Sequence, residues 1–141
     1  MRRFVLDTNI LLAYVRQNEI FLTAENQLHL SDQDAQLIVS VVTVGEINVL
    51  AQRNNWGEKK LDLLNQFFEQ EVFIVDITIG SPDLLDAYVE IDTFSSDKNM
   101  GKNDLWIAAT AKVTNATLVT TDGDFDHLGG SHIQLAKISL T

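Results

Sequence analysis

Cysteine is absent from this sequence, which excludes disulfide bonds and thiolate metal sites. Proline occurs once, at Pro82, so no Pro-rich linker divides the chain. No apolar run reaches the length needed to cross a bilayer. The short stretch Phe4-Val5-Leu6 after Arg2-Arg3 ends at Asp7 without a cleavage site of small residues, so it does not read as a signal peptide. The expected setting is the cytoplasm, with no membrane partner. Bases are scarce: 10 Lys and Arg stand against 20 Asp and Glu, a net charge of −10. Charge alone argues against a nucleic-acid binder and suits a protein that gathers metal cations or meets a basic partner. Asp32, Asp34 and the Glu69/Glu71 pair read as solvated surface.

What the chain does have is a core. Its 141 residues are 45% hydrophobic, enough for one compact domain spanning 1–141. Phe4-Val5-Leu6 is a buried strand closed by Asp7. Asn9 is placed to cap a helix carrying Ile10, Leu11, Ala13 and Tyr14. Residues 18–35 read ambiguously, as a short helix and a loop. Leu37 to Val42 is a second strand, after which Thr43 opens a helix with Val44, Ile47, Leu50 and Ala51 on one face. A further helix follows Gly57, with Leu61, Leu64, Phe67 and Phe68 at helical spacing. Val72 to Val75 is a third strand. Ser81-Pro82 reads as N-cap and first helical position, ahead of Leu84, Leu85, Tyr88 and Ile91. A helix from about Asp104 to Val113, a strand from Ala116 to Thr121 and another from Ile133 to Ile138 complete the chain. Apolar strands alternating with helices predict an α/β fold, a three-layer α/β/α sandwich around a parallel sheet. The pattern leaves strand order open.

In such sheets ligands sit beyond the carboxyl ends of the strands, and the acids collect there. Asp7 ends the first strand. Glu46 lies in the first turn of the helix leaving the second. Asp122 ends the fourth. The loop between the Asp104 helix and that fourth strand is short, so the helix runs antiparallel to it and Asp104 stands at the same edge. Each acid also has a local structural role open to it. Thr43-Val44-Gly45-Glu46 has the form of a capping box. Asp104 complements a helix dipole, and Asp122-Gly123 is a turn signal. Asp7 is the hardest to explain locally, because a carboxylate at the end of an apolar strand is costly to bury unpaired. Converging carboxylates repel, and a divalent cation relieves that repulsion. Oxygen-only ligands select Mg²⁺ or Mn²⁺ over zinc, and His29, His127 and His132 offer no zinc spacing.

Around these acids the sequence resembles the PIN-domain family, most closely the VapC-type toxins of toxin–antitoxin modules. The resemblance rests on Leu6-Asp7-Thr8-Asn9, on Ser40 to Glu46, on Asn103-Asp104-Leu105-Trp106 through Ala111, and on Leu118 to Asp122 with Asp124-Phe125 beyond. It implies a five-stranded parallel sheet in the order 3-2-1-4-5 and an endoribonuclease using Mg²⁺ or Mn²⁺. Asp7, Asp104 and Asp122 would then hold the metal, Glu46 would complete the set as a ligand or from just outside it, and Asp124 is a further candidate ligand. Asp126 and His127 stay open as helpers. Thr8 and Thr120 resemble the hydroxyl residues lining such sites. Lys102 and Lys98, with Arg16, are candidates for a basic rim that meets RNA. The resemblance also implies an antitoxin partner with a basic tail, an Arg or Lys of which would enter among the acids, contact with DNA only through that partner, and a homodimer. Trp56 and Phe68 read either as an exposed dimer face or as core. The alternative is a non-catalytic PIN-like module binding RNA or protein. A receiver-like phosphoacceptor fails for want of paired acids after the first strand and a lysine after the fifth, despite Asp76. A haloacid-dehalogenase-like phosphatase fails because Asp7-Thr8-Asn9 lacks the second Asp.

Overall fold

Alternation along the first strand sets the layers. In β1 (Arg2–Leu6) Phe4 and Leu6 join the core on one side of the sheet and Val5 the core on the other. The computed structural model describes residues 1–78, 80 and 82–140. After β1 come α1 (Thr8–Arg16), α2 (Glu19–Leu28), β2 (Ala35–Ser40), α3 (Val41–Arg53), α4 (Glu58–Gln70) and β3 (Val72–Val75). The second half holds α5 (Pro82–Phe94), α6 (Lys102–Thr114), β4 (Thr117–Thr120), a 3-10 helix (Gly123–Leu128) and β5 (Gln134–Lys137). The strands pair in parallel in the order β3-β2-β1-β4-β5. Helices α1 to α4 cover Leu6, Val39 and Val119 on one face, while α5, α6 and the 3-10 helix cover Val5, Ile38 and Leu118 on the other. This is the α/β/α sandwich expected from the alternation, with the strand order that the family resemblance implied.

Several local expectations shift. Asp7, not Asn9, caps α1, its Oδ1 accepting from the Thr8 N–H at 2.8 Å. Asn9 is already inside the helix. Residues 18–35 hold a full helix, because the Asn18 side chain accepts from the amides of Ile20 and Phe21 and so starts α2. β2 stops at Ser40, two residues before the expected Val42. Ser40 caps α3 by accepting from the Val42 N–H at 3.1 Å, so Val41 and Val42 are helical despite their strand propensity. α6 begins at Lys102, two residues before Asp104. Pro82 opens α5 as expected, while the Ser81 cap lies outside the described residues. Edge strand β3 is not buried on both faces, since Phe73 is 63% exposed. Trp56 is buried and Phe68 half-buried against the same core, so neither forms an exposed face. Asp34 is not merely solvated, for it takes the Arg2 guanidinium at 2.9 and 3.0 Å.

The Thr43 capping box does not form. Thr43 sits within α3, fully buried, and among the described residues its Oγ1 is the one buried side-chain polar atom without a hydrogen-bond partner. Glu46 is therefore free of any capping duty. Thr43→Val keeps the shape and removes an unsatisfied hydroxyl, so it is expected to stabilise the fold by about 1 kcal/mol. A capping threonine would instead lose about 1 kcal/mol on the same change. Thermal unfolding of the two proteins gives the sign.

Candidate metal centre

Strand ends and helix starts bring the acids together. Asp7 leaves the carboxyl end of β1 and is only 4% exposed. Its Oδ1 is held by the Thr8 amide, and its Oδ2 accepts from Thr120 Oγ1 at 2.6 Å and Asn9 Nδ2 at 3.1 Å. Glu46, on the second turn of α3, accepts from Thr8 Oγ1 through Oε1 at 2.6 Å. Asp104 enters in the first turn of α6, and Asp122 stands two residues beyond the end of β4, after Thr121. Asp122 Oδ1 caps the 3-10 helix by accepting from the Asp124 amide at 2.9 Å. Asp7, Glu46, Asp104 and Asp122 line one cleft of about 250 Å³, together with Thr8, Asn9, Leu12 and Leu50. Asp104, Asp122 and Asp124 each offer a carboxylate oxygen, and these oxygens lie within 4.8 Å of one another.

The electrostatics are unfavourable as they stand. No Lys, Arg or His pairs with any of these five acids among the described residues. Burial, followed by the charges of Asp7, Asp122, Asp124 and Glu46, pushes the Asp104 carboxyl up to about 7. Burial raises Asp7 as well, against the hydrogen bonds from Thr120 and Thr8 that lower it. Half-buried, mutually repelling oxygens with no protein cation among them are a donor set that fits a hard divalent ion.

The remaining candidates separate. Thr8 lines the cleft, whereas Thr120 is fully buried behind Asp7 and so is not part of a substrate rim; each donates its hydroxyl proton to a site carboxylate. Asp126 is turned away and held by Lys137 Nζ at 2.9 Å. His127 is also engaged elsewhere, with Nε2 2.7 Å from Ser95 Oγ and its ring stacked over Phe94. Lys98 and Lys102 are exposed at and before the start of α6. Arg16 ends α1, about 12 Å along the helix from Thr8. Asn9 is the site residue whose role the sequence concealed. Besides donating to Asp7, its Oδ1 accepts from the Thr121 amide at 3.1 Å, tying the β1 exit to the β4 exit. Its place within Leu6-Asp7-Thr8-Asn9 was the available signal.

Residues 4–131 match the PIN domain family. The chain belongs to that family. No curated protein matches its sequence. Among solved structures it is similar to VapBC2 from Rickettsia felis bound to a promoter DNA fragment, with a TM-score of 0.75 at 23% identity over 97% of this chain and 99% of that one. The DNA-bound VapBC of Salmonella typhimurium gives a TM-score of 0.73 at 21% identity, over 97% of this chain and 98% of that one. A VapC toxin of Mycobacterium tuberculosis that cleaves the sarcin-ricin loop gives 0.68 at 18%, over 92% of this chain and 98% of that one. The neighbours of this PIN domain are thus VapC toxins of toxin–antitoxin systems, and at such identities the likeness is one of fold.

Proposed function

We propose that this PIN-domain protein is a metal-dependent endoribonuclease, the toxin of a toxin–antitoxin pair, acting as a single unit over 1–141. The observation that carries the reading is the convergence of Asp7, Glu46, Asp104, Asp122 and Asp124 without a protein cation among them. Asp7, Asp104 and Asp122 hold Mg²⁺ or Mn²⁺, and Asp124 adds a fourth carboxylate. The bound cation supplies positive charge against the phosphate and acidifies water for attack on phosphorus. Glu46 spends Oε1 on Thr8 and keeps Oε2 for orienting the attacking water. Thr120 and Asn9 fix the Asp7 carboxylate at the wall of the cleft. Leu12 and Leu50 form an apolar floor beside the acids, against which a base or ribose packs.

The likeness to VapBC assemblies supports an antitoxin partner, and the structures from Rickettsia felis and Salmonella typhimurium are bound to DNA. For this chain the partner is a small protein with a basic tail. An arginine suits the carboxylate cluster best, because its planar fork bridges two acids. DNA is then met only through that partner, the toxin pairs as a homodimer, and both work in the cytoplasm.

The test is incubation of the purified chain with cellular RNA. Cleavage is expected with Mg²⁺ or Mn²⁺ and is lost with chelator. Intact RNA under both metals would overturn the ribonuclease reading. Lys102, exposed in the first turn of α6 beside Asp104, is the candidate phosphate contact. Lys102→Ala is expected to weaken RNA binding and flatten the slope of log affinity against log salt by about 0.7, the value for one phosphate contact on a single strand. An unchanged slope removes Lys102 from the interface.

A further inference from the structure

Helices α1 and α3 both start at the carboxyl edge of the sheet and both pack on the same face of it. They therefore run away from the acids side by side. The cleft already follows them for one turn, from Thr8 to Leu12 on α1 and from Glu46 to Leu50 on α3. One helical turn further stand Arg16, four residues after Leu12, and Arg53, three residues after Leu50. Each lies about 10–12 Å along its helix from Thr8 or Glu46.

Two more bases arrive from α4. Lys59 and Lys60 line a second cleft with Val15 and Gln17, at the end of α1. Lys60 Nζ also sits 5.6 Å from the centre of the Trp56 ring, and Trp56 is tied to the end of α3 by its N–H to the Ala51 carbonyl. Arg16, Arg53, Lys59 and Lys60 form no ion pair among the described residues, although Glu58 is a sequence neighbour and Asp62 lines the same second cleft. Arg2, Lys112 and Lys137 are by contrast all spent on carboxylates. In a chain of net charge −10, four of the seven bases without an ion pair among the described residues stand beyond this end of the cleft; Arg3, Lys98 and Lys102 are the other three. Arg16 and Arg53 lie in last turns, where they complement helix dipoles. Lys59 and Lys60 lie in the first turn of α4, where a cation opposes the dipole, so helix stability does not account for them.

We infer that the cleft between α1 and α3 is an RNA track: the strand leaves the carboxylates over Leu12 and Leu50, and the phosphates about two nucleotides away are gripped by Arg16, Arg53, Lys59 and Lys60. The inference rests on the ribonuclease reading. It divides the charge of the cleft, with cations over the acids at one end and side-chain bases at the other.

The test uses Mn²⁺-dependent cleavage of a 12-nucleotide single-stranded RNA and of a trinucleotide. Arg16→Gln/Arg53→Gln and Lys59→Gln/Lys60→Gln are each expected to raise KM for the long RNA about tenfold, with kcat unchanged, and to flatten the salt dependence of log kcat/KM by about 1.4, the value for two phosphate contacts. The trinucleotide is too short to reach the track, so its KM stays at the wild-type value. The lysine pair also keeps the wild-type melting temperature or exceeds it, which separates the effect from folding. Wild-type KM and salt slope in both variants, with the wild type cleaving normally, overturn the track alone. A wild type inert with Mn²⁺ overturns the ribonuclease reading and the track with it. Competition by polyglutamate as strong as that by polyuridylate, at equal charge, marks a general anion surface and overturns the RNA assignment.

Discussion

Asp7→Asn is expected to lower metal-dependent RNA cleavage by about 10³-fold or more, a loss of at least about 4 kcal/mol of transition-state stabilisation. Asparagine matches aspartate in shape, and its carbonyl still takes the Thr8 amide that starts α1. What it removes is one charge from the donor set. It also turns an NH₂ toward Thr120 Oγ1, whose hydroxyl can accept as well as donate, and toward Asn9 Nδ2, a donor whose bond to Asp7 is lost. The fold should therefore survive, because removal of a charge that burial and neighbouring acids penalise offsets the lost Asn9 bond. Circular dichroism, melting and titration with Mn²⁺ separate these effects. Native structure with weakened Mn²⁺ binding and lost turnover fits a ligand role. Retained turnover that still needs metal would remove Asp7 from the catalytic set. If an antitoxin arginine enters the same carboxylates, the variant also binds the antitoxin more weakly.

The layer architecture was legible because amphipathic helices carry a helical period, while apolar runs such as Val72–Val75 are too short for a helix and rich in β-branched residues. The edge shared by Asp7, Glu46, Asp104 and Asp122 was legible too, since a strand end, a helix start and a short connection fix it without any knowledge of strand order. Convergence of these acids across the sheet depends on β1 lying between β2 and β4, a pairing of residues far apart in sequence. Local pattern does not encode that, and only the family resemblance supplied it. Helix starts failed where two polar residues competed for one cap. Asp7 and Asn9 are both good caps, and the backbone chose Asp7, leaving Asn9 to bridge strands. Ser40 sits inside a run of β-branched residues that reads as strand through Val42, yet its hydroxyl ends the strand and starts α3. Acids near the site divided by partner. Asp124 stays with the cluster, whereas Asp126, two residues on, finds Lys137 on β5, a contact no spacing rule reveals.

Stability of the metal-free protein is expected to fall as pH rises through neutrality, the reverse of the usual acid lability. The folded Asp104 carboxyl keeps its proton up to about 7, against an ordinary value of 3.8. Between those values the native state binds more protons than the unfolded chain, so stability declines with rising pH. The contribution is intact below the unfolded value and is lost as pH climbs through the folded one. Asp7 is shifted in the same direction. Asp34 and Glu90 are held below their ordinary values by Arg2 and Lys112, so they act only in acid, outside this window. The full Asp104 shift is discounted because the side chain is half-exposed, leaving roughly 1–2 kcal/mol and a melting temperature lower by several degrees at about pH 8 than at about pH 5. Mn²⁺ or Mg²⁺ binds only the deprotonated carboxylates, so it should raise the melting temperature more at the higher pH and remove the slope. Asp104→Asn should flatten the metal-free profile and lose most of the metal response. A profile in chelator that is flat or rises with pH would mean that the acids do not crowd one another as their positions imply, and the reason for a cation among them would disappear.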